Sequence, residues 1–195
     1  MRLPNTQFLK ISEEQAEKDN IDSYYDDIKL PKRATKGSAG YDFYAPFDFT
    51  LLPGKTIKIP TGIRCKIDDG FVLKIYPRSS FGFKYRATLD NTVGIIDSDY
   101  FNADNEGHIF VKITNNGEKT LNVCTGDAFC QGIFVEYFLT CDDDATEIRT
   151  GGIGSTSKKN NTDDEGPKCL EDLYKDDPIL TDPDYLDFIA KVDYN

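Results

Sequence analysis

Thr56-Ile57-Lys58-Ile59-Pro60-Thr61-Gly62-Ile63-Arg64-Cys65-Lys66-Ile67 is the stretch that decides the fold class. Ile57 and Ile59 alternate with Thr56 and Lys58, and Ile63, Cys65 and Ile67 alternate with Arg64 and Lys66. A period of two places the apolar side chains on one face of a strand, whereas a helix would need them three and four apart. The same alternation continues outward, with Phe71, Leu73 and Ile75 set against Val72 and Lys74, and Ile109, Val111 and Ile113 against Phe110 and Lys112. Pro53-Gly54, Asp68-Asp69-Gly70, Asn115-Asn116-Gly117 and Gly126-Asp127 are turn signals between these runs. Many short strands from Lys29 to about Leu139 predict an all-β sandwich or barrel.

The ends read differently. Ser12 with Gln15 three residues on forms a capping box for a short helix through Lys18. Three parts follow: an N-terminal extension over 1–28 with a strand or short helix, a main domain over 29–156 closing in a glycine-rich arm, and an acidic tail over 157–195. Ser157 to Gly166 is polar and reads as a linker, and Asp182-Pro183 opens a short helix with Leu186, Ile189 and Ala190 on one face.

Charge narrows the function classes. Eleven acids and three lysines between Thr162 and Asn195 account for −8 of the net −11, so the body is close to neutral. Such a chain is not expected to bind duplex nucleic acid through a general field. A polyanionic nucleotide, held by a few placed arginines and a metal ion, remains compatible. No stretch approaches the roughly 20 apolar residues of a membrane span and no signal peptide opens the chain, so the expected address is cytoplasmic. Cys65, Cys124, Cys130, Cys141 and Cys169 lack metal-ligand spacing, and the lone His108 has no ligand-spaced partner, which predicts reduced thiols and no zinc.

Five segments carry residue types that packing does not require. Ala39-Gly40-Tyr41-Asp42 sets a carboxylate after a glycine. Pro77-Arg78-Ser79-Ser80 reads as a loop with a guanidinium, two hydroxyls and backbone amides, donors suited to phosphate oxygens. Asn91 to Tyr100, centred on Gly94-Ile95-Ile96-Asp97-Ser98-Asp99-Tyr100, sets two carboxylates and a tyrosine at a strand end. Gly126-Asp127-Ala128-Phe129-Cys130-Gln131 is a turn feeding a strand that carries one amide. Arg149-Thr150-Gly151-Gly152-Ile153-Gly154-Ser155-Thr156 is a glycine-rich arm with a cation at one end. Singly, each also fits a solvated loop or turn, and no GxxxxGK[ST] loop is present.

Together and in this order, they resemble the five motifs of the trimeric dUTPases, over about Leu30 to Thr156. Pro31 to Lys36 and the inserted Asn102 to His108 look like versions found in Gram-positive bacteria and their phages. The resemblance implies a jelly-roll-like β-barrel assembled as a homotrimer, with sites shared between subunits, that hydrolyses dUTP to dUMP and pyrophosphate with Mg2+. Such a reaction keeps uracil out of DNA and supplies dUMP for dTTP synthesis. It further implies that Asp97 holds and deprotonates the attacking water, as an ionised carboxylate can at neutral pH. Tyr100 would lie under the deoxyribose and exclude a 2′-hydroxyl. Asn91, with the backbone of Gly94, Ile95 and Ile96, would read the uracil edge. Arg78, Ser79, Ser80 and Gln131 would hold the α- and β-phosphates, and Asp42 would face magnesium through a coordinated water. Arg149, Gly154, Ser155 and Thr156 would close over the γ-phosphate from a neighbouring subunit's arm.

Ile153 departs from the family, which usually has an aromatic ring there to stack on the uracil. Phe101 stands where a basic residue often sits, and the insertion displaces the usual Gly-Glu pair to Gly107-His108. Two rivals keep the same body. A dCTP deaminase shares the fold and the Arg-Ser-Ser segment, but needs a glutamate where the strand after the third motif offers Lys112. A dUTP-responsive regulatory protein would use the acidic tail to engage a protein partner.

Overall fold

A computed structural model describes residues 4–147 and 149–151. Ile153, Gly154, Ser155, Thr156, the linker, the helix expected after Asp182 and the rest of the tail lie outside the described residues.

The fold is all-β. The chain runs β1 (Gln7–Lys10), α1 (Glu13–Lys18), a 3-10 turn at Asp22–Asp27, β2 (Tyr41–Tyr44), β3 (Phe49–Leu51), β4 (Thr56–Pro60), β5 (Ile63–Lys66) and β6 (Phe71–Pro77). After α2 (Ser79–Tyr85) come β7 (Ala87–Leu89), β8 (Gly94–Ile96), a 3-10 turn at Ser98–Asn102, β9 (Phe110–Asn115), β10 (Leu121–Val123) and β11 (Ala128–Glu136). All the pairings are antiparallel. One sheet has the order β2-β11-β6-β8 and another β4-β9-β7, with β1-β5 and β10-β3 as two-stranded ribbons.

The period-two reading holds: Ile57, Ile59, Ile63, Cys65, Val111 and Ile113 are all buried, while Lys58, Lys66 and Lys112 face out. They join Phe43, Leu73, Ile75 and Phe129 from the first sheet in one core. Burying each such side chain contributes on the order of 2 kcal/mol. β6 departs from clean alternation, because Val72 is buried beside Leu73. It is a central strand with apolar residues covered on both faces.

The N-terminal segment is no loose appendage. β1 pairs with β5 (Phe8 opposite Cys65), and Ile11, Ala16, Ile21 and Ile28 belong to the core. α1 starts at Ser12 as expected, with Ser12 Oγ accepting from Gln15 N–H at 3.1 Å. The reciprocal half of the capping box is absent. The Gln15 side chain turns to Asp19 at 2.8 Å, and Ser12 N–H donates instead to Glu106, 94 residues away.

Candidate active site

The predicted site residues fall into two groups. The first surrounds the turn after β8. β8 is the edge strand of its sheet, bonded to β6 on one side with Gly94 opposite Ile75 and Ile96 opposite Leu73. An edge strand presents alternating N–H and C=O groups outward, a ready pairing partner for the edge of a flat base. A cavity of about 220 Å3 opens there, lined by Asn91, Gly94, Ile95, Ile96, Asp97 and Tyr100, with Lys112 and Arg149 on its rim. Ile95 is 53% exposed, an uncovered apolar surface beside this cavity.

The chain leaves β8 with Asp97 extended (φ −78, ψ 160) and enters the 3-10 turn. This projects the Asp97 carboxylate, whose side chain is 45% exposed, at the mouth of the cavity. Arg149 meets it there, with Nη2 donating to Asp97 Oδ2 at 2.8 Å. Arg149 Nε lies 3.1 Å from Asp99 Oδ1, near in distance but outside hydrogen-bond alignment. The guanidinium also sits 5.7 Å from the Tyr100 ring centre. Tyr100 is 4% exposed, and its hydroxyl donates to the carbonyl of His108 at 2.7 Å and accepts from Asn105 Nδ2 at 2.9 Å. Burial lifts the phenol above its usual range, so it stays protonated and a donor.

Within the single chain Arg149 rests on its own Asp97. The physical reason is local. Asp97 and Asp99 are two half-exposed carboxylates at one turn, and a guanidinium on the same chain compensates both.

The second group lies on β2, β11 and the start of α2. Pro77-Arg78-Ser79-Ser80 is not a loop, as the sequence suggested. Arg78 caps α2, and Ser79 and Ser80 are its first two residues, both exposed. The burial of Phe81 turns the chain into a helix at once. Arg78 Nε lies 3.3 Å from Asp42 Oδ1, and Nη1 donates to Ala128 O at 3.2 Å, beside a bulge in β11. Gln131 stands directly opposite Asp42 and donates to Pro77 O at 3.2 Å. Gly40 leaves room for this amide, because a Cβ at that position would come within 2.5 Å of Gln131 Oε1 and push the side chain aside. A carboxylate, a guanidinium and an amide thus meet, and two exposed hydroxyls follow the guanidinium along the chain.

The structure does not bring the two groups together. The Asp42–Gln131 row meets β6 at Tyr76, while Asp97 continues β8 towards Val72. Three strand spacings across and four residues along separate them, roughly 20 Å on ordinary strand dimensions.

Some site residues were less legible. Lys112 pairs with Asp90 at 3.3 Å and lines the cavity, and Asp99 shares Arg149 with Asp97. The alternation of β9 signals Lys112 as an outward residue; the pairing with Asp90 has no sequence signal.

The antiparallel β-fold, with an edge-strand cavity and a separate group of anion-suited donors, is that of a β-protein with a small-molecule site, and comparison with known proteins narrows it. The dUTPase family model matches residues 26–157. The deoxyuridine 5′-triphosphate nucleotidohydrolase of Lactococcus lactis is 43% identical over 133 residues, covering 66% of this chain and 88% of that protein. The counterpart from Escherichia coli O9:H4 is 36% identical over 141 residues, covering 68% and 90%. Among solved structures, the dUTPase of Streptococcus mutans superposes with a TM-score of 0.57 at 34% identity, covering 68% of this chain and 97% of that one. A variant dUTPase from phage phi11 of S. aureus, described with a structural Mg(II) ion, shares the fold with a TM-score of 0.55 at 20% identity, covering 73% and 97%. The chain belongs to the dUTPase family, and with it to the enzymes that hydrolyse dUTP to dUMP and pyrophosphate. Neither rival finds support: each relative reported above is a dUTPase. Among the described residues no helix is long and apolar enough to cross a membrane.

Proposed function

We propose that dUTP is hydrolysed at a site shared between copies of this chain, with Asp97 of one copy as general base and the Asp42–Arg78–Gln131 group of another holding the phosphates. The observation that carries this reading is the separation of the two groups. A water on Asp97 must lie within about 3.5 Å of the phosphorus it attacks, and Arg78 can hold that same phosphate only at hydrogen-bond distance. With the backbones of Asp42 and Asp97 roughly 20 Å apart on ordinary strand dimensions, a phosphate held by one copy and attacked from another meets both demands more readily than a single chain does. A closed homotrimer satisfies the requirement three times over by symmetry.

In this site the uracil edge pairs with the outward backbone groups of Gly94, Ile95 and Ile96 and with Asn91. A mismatched base leaves buried polar groups unpaired, which is how such a site rejects cytosine. Tyr100 lies under the deoxyribose. Asp97 takes the proton of the attacking water as the oxygen bonds to the α-phosphorus and pyrophosphate leaves. Arg78, Gln131, Ser79 and Ser80 compensate the phosphate charge, as positioning and electrostatics do in phosphoryl transfer.

Among the described residues no three acidic, histidine or cysteine side chains form a metal cage. That fits a magnesium ion ligated by the triphosphate itself, with Asp42 bound through water, since magnesium keeps much of its hydration shell. When bound, magnesium neutralises the phosphate oxygens and orients the pyrophosphate leaving group. Arg149 leaves Asp97 when the nucleotide binds and turns to the γ-phosphate. The resemblance to the family assigns Ile153, Gly154, Ser155 and Thr156 to the nucleotide as well, and the acidic tail is a candidate for binding a protein partner. The test is pyrophosphate release from dUTP, dCTP and UTP, with and without magnesium. Release from dUTP alone, dependent on magnesium, supports the reading; equal turnover of dCTP, or magnesium-independent release, overturns it.

A further inference from the structure

We propose that the N-terminal segment Ser12–Asp19 is a positioning element for Tyr100, and through it sets the preference for deoxyribose over ribose. The proposal rests on the reading that Tyr100 lies under the sugar. α1 is only six residues long, too short to persist alone. Both of its ends grip the same distant loop. At its start Ser12 donates twice to Glu106, from N–H at 2.9 Å and from Oγ at 2.5 Å. At its end the Asp19 carboxylate meets Nδ1 of the fully buried His108 at 2.5 Å. Nε2 of that ring accepts from Gly62 N–H at 2.8 Å, so the proton sits on Nδ1 and points at Asp19.

The loop grips Tyr100 in turn. The carbonyl of His108 and the amide of Asn105 take both hydrogen-bonding roles of the phenol. Gly107 presses so closely on the turn that a Cβ there would lie 2.5 Å from the Tyr100 carbonyl oxygen and 2.8 Å from Phe101 Cα. Its φ of +70 also suits glycine. The backbone and the hydroxyl of Tyr100 are therefore both fixed by a loop that is itself pinned to α1.

A sugar platform works only if it does not yield. Displacing the ring by a fraction of an ångström opens space for a hydroxyl, and sites of this kind need placement within about 0.5 Å. Ser12 and Asp19 precede residue 26, where the family match begins. Freeing the loop is therefore expected to loosen sugar selection while leaving the chemistry at Asp97 in place.

The test measures kcat and KM for dUTP and UTP, and the melting temperature, on full-length Asp19→Ala, Asp19→Asn, Ser12→Ala and Tyr100→Ile. Asp19→Ala should lower the dUTP-over-UTP ratio of kcat/KM by about tenfold, mainly by raising kcat/KM for UTP, with kcat for dUTP within about twofold. Asp19→Asn keeps an oxygen to accept from His108 and should recover most of the ratio. A lower melting temperature with an unchanged ratio in Asp19→Ala would mean a purely structural contact and overturn the proposal. If Asp19→Ala does not fold, Ser12→Ala decides on the same readout, a reduced ratio supporting the proposal and an unchanged one overturning it. Tyr100→Ile separates the two levels. If it leaves the ratio intact, the platform reading fails and takes the proposal with it. If it collapses the ratio while Asp19→Ala and Ser12→Ala keep it, only the bracing role fails.

Discussion

Arg149 donates to the carboxylate of Asp97 at 2.8 Å within one chain, so the proposed general base and a cation of the closing arm neutralise each other before substrate arrives. A carboxylate engaged by a guanidinium has fewer lone pairs to offer water. Hydrolysis therefore requires the pair to separate, and a triphosphate supplies the competing anion.

The first prediction concerns Asp97 itself. Asp97→Asn should keep the fold, because the side chain is half-exposed and touches no core residue through a hydrogen bond. Its turnover should fall at least about a hundredfold, the usual loss for a general base. Single-turnover hydrolysis with saturating nucleotide checks this; a near-normal rate would remove Asp97 from the chemistry.

The second prediction is acid sensitivity centred on the clamp. Burial alone would raise Asp19, but hydrogen bonds from His108 and Gln15 outweigh it and hold its carboxyl below the ordinary 3.8. Glu106 behaves alike: burial opposes, and the two bonds from Ser12 with the charge of Arg64 prevail, holding it below 4.5. Folded-state values lowered in this way contribute stability that is fully present above the unfolded values and lost as pH falls through the folded ones. Urea midpoints should thus decline as pH falls below about 4, where these two carboxylates take up protons. Asp19→Asn should decline less steeply over the same window. An equal slope in both proteins would show that Asp19 does not carry the linkage.

Much of the barrel was legible in the sequence because strands with one face buried declare themselves by period two, as Thr56–Pro60 and Ile63–Lys66 do. The Asp97 turn was legible through its residue types. The start of α2 was not, since a single i, i+4 pair, Phe81 and Tyr85, is a weak helix signal in a segment that also carries Gly82, and its helix is fixed by burying Phe81. Nor was the clamp. Ser12 and Glu106 are 94 positions apart, and His108 and Asp19 are 89 apart, so only the folded chain reveals these pairs. The separation of Asp42 from Asp97 likewise depends on strand order, which alternation does not encode.

The third prediction uses the cysteines. Cys65 is buried, and burial pushes its thiol up to about 12; Cys130 is also buried and raised well above the ordinary range. Cys124 and Cys141 are exposed. Alkylation needs the thiolate and access to it. Iodoacetamide at pH 8 should modify Cys124 and Cys141 in the native protein, and Cys65 and Cys130 only after unfolding, as peptide mass spectrometry can follow. Rapid native labelling of Cys65 would contradict the packing of β5 against the core.

The last prediction decides how the site is divided among subunits. Asp97→Asn and Arg78→Ala homo-oligomers should both be poor enzymes, the second through lost charge compensation on the phosphates. Refolding the two together forms mixed rings. In a cyclic trimer, each mixed ring contains one junction at which an intact Asp97 meets an intact Arg78 from the other chain. Random mixing at equal amounts should therefore restore about a quarter of wild-type activity, because about three-quarters of trimers are mixed and about a third of their sites are whole. The same experiment with Asp97→Asn and Arg149→Ala asks where the arm works. Rescue to about the same level places Arg149 on a neighbour during turnover, so that its contact with its own Asp97 is a resting arrangement. Rescue with Arg78→Ala but not with Arg149→Ala would mean that the arm serves the Asp97 of its own chain throughout. No rescue in either mixture, with mixed trimers verified by mass spectrometry, would overturn the shared site.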